Sequence, residues 1–297
     1  MRSNRVSHCL FGMILSAVVV LTAATVNGQT PAPSPPANAS STPTLESQFF
    51  KNILRDQKAI WTSPFHLHRR DARWLAPLGL GTAALIATDR DTADEIAEFD
   101  DQLQASRIVS YPGSTYGAAA IAGTFYLAGR FKHNDRARET GLLSLESLLD
   151  SEIVVVSLKA ITGRRRPRDL VHRGHFFEGG RSFPSGHSIH AWSVATVIAQ
   201  EYSDHRWVQF SSYAIASAVS ISRYTGEKHF LSDVLVGSAL GYGIGRYVYR
   251  THHRKSLSSG GEEEEEESDA HFNRWPRIAP EFSRRAREYG VALTWSF

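Results

Sequence analysis

The chain has 297 residues, 42% of them hydrophobic, and a formal charge of +3. That is enough for one large domain or two small ones around a sizeable core, and a single cysteine, Cys9, excludes a disulfide framework and a thiolate metal site. The seven acids of 262–269, taken away from +3, leave a body of +10, which points to an anionic partner (phosphate, nucleic acid or a membrane surface) or simply to solubility.

Residues 1–28 read as a secretory signal: Arg2 and Arg5, then the apolar run "CLFGMILSAVVVLTAATV", then small residues, with cleavage expected after Ala24 or Gly28. The rival is an uncleaved membrane anchor, since residues 9–29 carry no charge. Residues 29–44, "QTPAPSPPANASSTPT", are an extended Pro/Ala/Ser linker. A helical domain is expected over 45–255. Its apolar segments lie near 74–88, 115–131, 141–160, 188–202, 207–222 and 231–249, with no sustained period-two alternation. The uncharged runs 74–88, 207–222 and 234–245 are 15, 16 and 12 residues long, short of the roughly 20 a membrane span needs. The segment 141–160 carries Glu146, Asp150 and Glu152, which are costly in lipid. These segments therefore predict a water-soluble or peripheral bundle. Residues 256–269 read as an acidic spacer, and "YGVALTWSF" at the end of 270–297 alternates like one strand.

Three clusters carry chemistry. In "KAITGRRRP", Lys159 ends an apolar helix pattern and Arg164, Arg165, Arg166 and Arg168 crowd a loop, which taken alone is a solvated basic loop. In "FPSGHS", Pro184 and Gly186 set a turn at the start of a helix, so backbone N–H groups and His187 face one point. In "SRYTGEKHFLSD", Arg223 precedes a turn, and His229 and Asp233 are four apart, which in a helix places them on one face. Taken together, two arginines and a lysine can surround the oxygens of one tetrahedral oxyanion. One imidazole backed by a carboxylate can attack phosphorus, and the other can protonate the leaving oxygen. The cationic clamp offsets the charge that a metal ion offsets elsewhere, so no metal or other cofactor is expected.

The order Lys-x6-Arg-Pro, Pro-Ser-Gly-His, Ser-Arg-x5-His-x3-Asp resembles the signature of the type 2 phosphatidic acid phosphatase and vanadium haloperoxidase superfamily. Here it reads Lys159, Arg166, Pro167; Pro184, Ser185, Gly186, His187; Ser222, Arg223, His229, Asp233. The resemblance covers roughly residues 70–250. It implies an all-α six-helix bundle with the site at one end. It implies His229 as a nucleophile that forms a phosphohistidine, oriented by Asp233, and His187 as the general acid. Lys159, Arg166 and Arg223 would hold the phosphate oxygens, helped by Ser185 and the Gly186 backbone. The expected activity is a metal-independent phosphatase acting on a phosphate monoester or a lipid (di)phosphate. The expected partner is that phosphorylated substrate, with membrane-surface association and no nucleic acid. Two alternatives stand beside it: a vanadate-dependent haloperoxidase, which halide oxidation would reveal, and a non-enzymatic envelope-associated binding protein. The expected location is the bacterial periplasm or envelope. The remaining basic residues Arg164, Arg165, Arg168, His172, Arg173 and His175 either meet anionic headgroups or form a solvated loop.

Overall fold

The computed structural model describes residues 45–94, 100–169, 173–258, 277–283 and 288–294. The expected signal, linker and most of the acidic spacer lie outside them. The described residues form eight helices, in order: α1 Leu45–Thr62, α2 Ala72–Asp94, α3 Asp100–Ser110, α4 Thr115–Phe131, α5 Asp135–Thr162, α6 Gly186–Glu201, α7 Arg206–Thr225 and α8 Leu231–Ser258. Short 3₁₀ turns at Ser63–His66 and Tyr111–Gly113 join two of the pairs. The six apolar segments each fall in a helix, and α1 and α3 are additional to them. Both additional helices mix charge with apolar residues, as in "LESQFFKNILRDQKAIWT", so neither shows as an apolar run.

Local chemistry sets the helix ends that matter. Ser114 caps α4, its side chain accepting the Gly117 N–H at 3.0 Å. Asn134 caps α5 in the same way through the Ala137 N–H at 3.0 Å. Helix α5 stops at Gly163, whose φ of 50° is the left-handed cap that glycine adopts at least cost, with its N–H on the Lys159 carbonyl. The stop leaves Lys159 in the last turn of α5 and turns the chain into the arginine-rich loop.

Helix α6 is buried on nearly every side, from Gly186 to Glu201. Leu143, Val154 and Val155 of α5, Ile189 and Val197 of α6, and Ile244 and Val248 of α8 form the largest core cluster. Leu148, Ala118, Val194 and Ile198 join α4 to it, and Ala191, Ala195, Ala216 and Val219 join α7. Each buried Val, Leu or Ile among them contributes about 1.5–3 kcal/mol by leaving water, and each alanine less. Around this centre α1 packs on α5, α2 on α8, and α3 on α7.

The tail differs from expectation. Instead of one strand it forms an antiparallel hairpin, β1 Arg277–Ser283 with β2 Glu288–Thr294, in the register Phe282↔Tyr289, Pro280↔Val291, Ile278↔Leu293. Pro280 hides β1 from a sequence reading, because proline inside a run argues against a strand. Among the described residues no helix is long and apolar enough to cross a membrane.

Candidate active site

His229 lies in the connection between α7 and α8, two positions before α8 begins, and is buried. Its Nδ1 is 2.7 Å from the Ser182 carbonyl oxygen. A carbonyl only accepts, so Nδ1 carries the proton and Nε2 keeps its lone pair. Asp233 Oδ2 stands 3.6 Å from the same nitrogen, beyond hydrogen-bonding range. The expected direct clasp of His229 by Asp233 is therefore replaced by a carbonyl clasp. The reason is local: His229 precedes the helix, so the four-residue spacing does not stack it over Asp233. Asp233 sits in the first turn and reaches back to the Phe230 N–H at 2.9 Å, the geometry of a capping box. It also accepts the Ser182 hydroxyl, so it braces the segment whose carbonyl holds the histidine. Burial pushes His229 down, and the Asp233 charge offsets part of that. Burial would push Asp233 up, but His229, Arg164 and the Ser182 hydroxyl together bring it below the usual carboxylate value.

Arg164, for which headgroup contact and a solvated loop are the two sequence expectations, fits neither: it is one of the most buried side chains, 1% exposed. Its Nη1 donates to Asp233 Oδ1 and Ser232 Oγ, both at 2.7 Å, and Nη2 to Asp89 Oδ2 at 2.8 Å. The guanidinium lies 4.7 Å from the Phe176 ring centroid and 4.3 Å from that of Phe230. One cation thus ties α2, the arginine loop and the start of α8 behind His229. Its neighbours are also engaged. Arg168 pairs with Glu227 at 3.0 Å and Arg173 with Asp94 at 2.6 Å, and the Arg165 N–H donates to the His175 carbonyl at 2.9 Å. His172 lies outside the described residues. Arg166 alone of the expected clamp has an exposed side chain.

The "PSGH" turn starts α6 at Gly186, with Ser185 as the preceding cap residue. The turn is fastened by the Ser185 N–H to the Asp233 carbonyl at 3.0 Å and by the Thr162 hydroxyl to the Phe183 carbonyl at 2.9 Å. The side chain of Ser185 makes no capping bond and accepts the Ser188 hydroxyl at 3.0 Å. The first-turn N–H groups of α6 have no intrahelical partner, and the helix dipole adds positive potential there. A Cβ on Gly186 would lie 3.3 Å from Lys159 Nζ, so the missing side chain lets the ammonium approach the turn.

The cations press on one another. Burial and Arg166 push Lys159 down to about 8. Burial and Arg166 push Arg223 down to about 10. Burial, then Arg223 and His229, push His187 down to about 3. Groups that repel in this way, over a helix N-terminus, give the local positive potential that an anion can neutralise. Arg223 Nη1 donates to Ser110 Oγ at 3.1 Å, so α3 positions it, while its buried Nε has no protein partner. Behind His187, His190 Nε2 stands 2.8 Å from Glu152 Oε2, and that imidazole first, against burial, holds Glu152 below the usual range. Asp89, Ser110, Glu152, Ser182 and His190 escaped sequence reading. Only Glu152 and His190 had a signal, as polar residues inside apolar helix patterns. A cavity lined by Ile86, Arg90, Gly174 and Phe176 touches none of the expected phosphate-binding residues.

Residues 140–257 match the PAP2 superfamily. Over 123 residues the chain is 39% identical to the lipid A 1-phosphatase of Porphyromonas gingivalis, a match covering 40% of this chain and 26% of that protein. The chain thus spans about a quarter of the length of that curated relative. Among solved structures, a transmembrane PAP2-type phosphatidylglycerolphosphate phosphatase from Bacillus subtilis aligns with a TM-score of 0.46 and 24% identity, over 70% of this chain and 95% of its own. LpxE of Aquifex aeolicus aligns with a TM-score of 0.42 and 20% identity, over 52% and 88%. The stretch that matches the PAP2 superfamily, 140–257, holds Lys159, Arg166, the Pro184–His187 turn, Arg223, His229 and Asp233.

Proposed function

We propose that the protein is a phosphatase that hydrolyses a phosphate monoester or lipid (di)phosphate through a phosphohistidine at His229. The observation that carries this reading is the 2.7 Å bond from His229 Nδ1 to the Ser182 carbonyl, which leaves Nε2 as a lone-pair nucleophile on a ring that feels the charges of Lys159 and Arg223. Lys159, Arg166, Arg223 and the α6 N-terminus take the non-bridging phosphate oxygens. Nε2 of His229 attacks phosphorus, the P–N bond forms as the P–O bond to the leaving group breaks, and His187 gives its proton to the leaving oxygen. The ring is then cationic, and the Ser182 carbonyl and the nearby Asp233 charge stabilise it. In the second half a water attacks phosphorus and gives its proton to His187. The P–N bond breaks to release inorganic phosphate, and His229 regains its lone pair. His187 is pushed to about 3 before substrate arrives. A phosphate dianion brings the negative charge that raises it and loads it with a proton.

A lipid phosphate is the favoured substrate class, because the matched relative is by name a lipid A 1-phosphatase. Exposed Trp74, Leu80, Trp207 and Phe210 on α2 and α7 add an apolar surface of the kind that meets a lipid interface. The domain scheme proposed with it is an export signal over 1–28, a linker over 29–44, the helical domain over 45–255, a spacer over 256–269 and a tail over 270–297. The proposed site of action is the periplasm or envelope. The test is phosphate release by the purified mature chain from lipid phosphates, isoprenyl diphosphates and soluble monoesters, with and without detergent. Turnover of lipid phosphates well above soluble monoesters supports the reading. Turnover of none of the three would count against a phosphatase.

A further inference from the structure

A second cluster of ionisable groups lies in the bundle away from the histidine site. Asp56 of α1, Glu146 of α5 and His252 of α8 are each at most 2% exposed, and one ligand atom from each lies within 4.8 Å of the others. His252 Nε2 faces Asp56 Oδ2 at 2.8 Å and Glu146 Oε1 at 3.1 Å. One ring nitrogen has one proton to give, and Glu146 Oε1 receives no hydrogen bond. Asp150 stands alongside. Its Oδ1 accepts from Gln57 at 2.8 Å, and its buried Oδ2 has no donor. Asn52, in reach of Glu146, likewise leaves its Oδ1 without one. Tyr247 donates to Asp56 Oδ1 at 3.2 Å. Three buried carboxyl groups thus converge with too few donors, an arrangement that costs several kcal/mol unless a cation or protons balance it.

Among the described residues of α1, Asn52, Ile53 and Asp56 are buried and Ile60 packs against the main core cluster, so two polar side chains share the face that α1 turns to the bundle.

We propose that Asp56, Glu146 and His252, with Asp150 and Asn52 beside them, bind one divalent first-row transition-metal ion that clamps α1 to α5 and α8. The donors are one imidazole nitrogen and several oxygens with no sulfur, which suits Zn²⁺ or Mn²⁺ better than a soft ion or Ca²⁺. The ion would replace the His252 proton between the two carboxylates and take up the orphaned oxygens. The site is structural. Glu146 precedes Lys159 by 13 positions on α5, roughly 20 Å along the helix.

The test uses the full chain. Metal content is measured after purification without chelator. The protein is then unfolded in chelator and refolded with or without Zn²⁺ or Mn²⁺, and calorimetric stoichiometry and thermal midpoint are recorded. One bound equivalent is expected, with a midpoint several degrees higher in the metal-loaded protein. In Asp56→Asn and His252→Gln affinity should fall by about 100-fold or more, since direct ligands matter at least as much as the outer-shell groups whose loss costs 10–100-fold. If a variant does not fold, Co²⁺ refolded into the wild-type chain reports the ligands by its visible absorption. Absence of any bound equivalent in both the purified and the refolded wild-type protein overturns the proposal, and an infrared carboxylic-acid band would then show that protons balance the cluster. Binding that is unchanged in both variants also overturns it.

Discussion

The residue that most changes the reading of this molecule is Arg164. In sequence it is one arginine among four, and in the fold it is the buried partner of Asp89 and Asp233. Removing one member of a buried ionic set leaves the others charged and unpaired, at a cost of about 3–5 kcal/mol. Arg164→Ala should lose stability of that order in denaturant unfolding, and a loss below about 1 kcal/mol, the usual worth of an exposed pair, would show the network to be incidental. Lys159 gives a pH signature. It is pushed down to about 8 by burial and Arg166, and it must be charged to hold phosphate, so kcat/KM should fall as pH rises through that value. The free-enzyme profile reports this group. Lys159→Arg keeps the charge to far higher pH, so whatever activity remains should lack the alkaline limb. A limb at the same pH in that variant would assign it elsewhere. His187 has a different expected signature: His187→Ala should retain much of its turnover with an activated aryl phosphate, whose leaving group needs no proton, and lose it with an alkyl phosphate.

At the scale of elements, what was legible follows from what each feature depends on. The six long apolar segments all became helices, because burial of an Ala-, Leu- and Gly-rich run needs only local pattern. The three motifs were legible because the chemistry fixes residue type and spacing together. Helices α1 and α3 were not, since their charged faces meet partners far away in the chain, as Asp56 meets His252. Arg164 finds Asp89 across 75 positions, and no local pattern signals that. One packing device was also unread. Gly237, Gly241 and Gly245, four apart on α8, face the carbonyls of Ser185, Ile189 and Ser193, four apart along α6 and its cap. A Cβ at these positions would lie 2.7, 2.3 and 2.4 Å from those oxygens. The two backbones therefore lie against each other, and the first contact sets the height of the "PSGH" turn relative to His229. Gly241→Ala should force α8 off α6 and cost about 1–3 kcal/mol, the range for overpacking, read as a lower thermal midpoint. Gly243→Ala, with nothing near its Cβ, is the control and should be neutral to stabilising by up to about 1 kcal/mol, since alanine is the better helix former.

For the whole molecule, all the signature residues lie between Lys159 and Asp233, inside the helical bundle. The β1–β2 hairpin pairs its own backbone and contributes none of them. A chain ending after Ser258 should therefore fold and keep the proposed phosphatase activity. If residues 270–297 serve as an address or an anchor, their deletion should release the protein from the membrane fraction without lowering turnover of a soluble substrate. The bond between phosphorus and His229 is the step on which the proposed chemistry depends. The direct measurement is acid-sparing quench of the full-length enzyme during turnover of a ³²P-labelled substrate, followed by peptide mapping. The expected result is an alkali-stable, acid-labile label on His229 that disappears in His229→Ala and persists in His187→Ala with an activated aryl phosphate. Label on another residue, or undiminished turnover by His229→Ala, would contradict it.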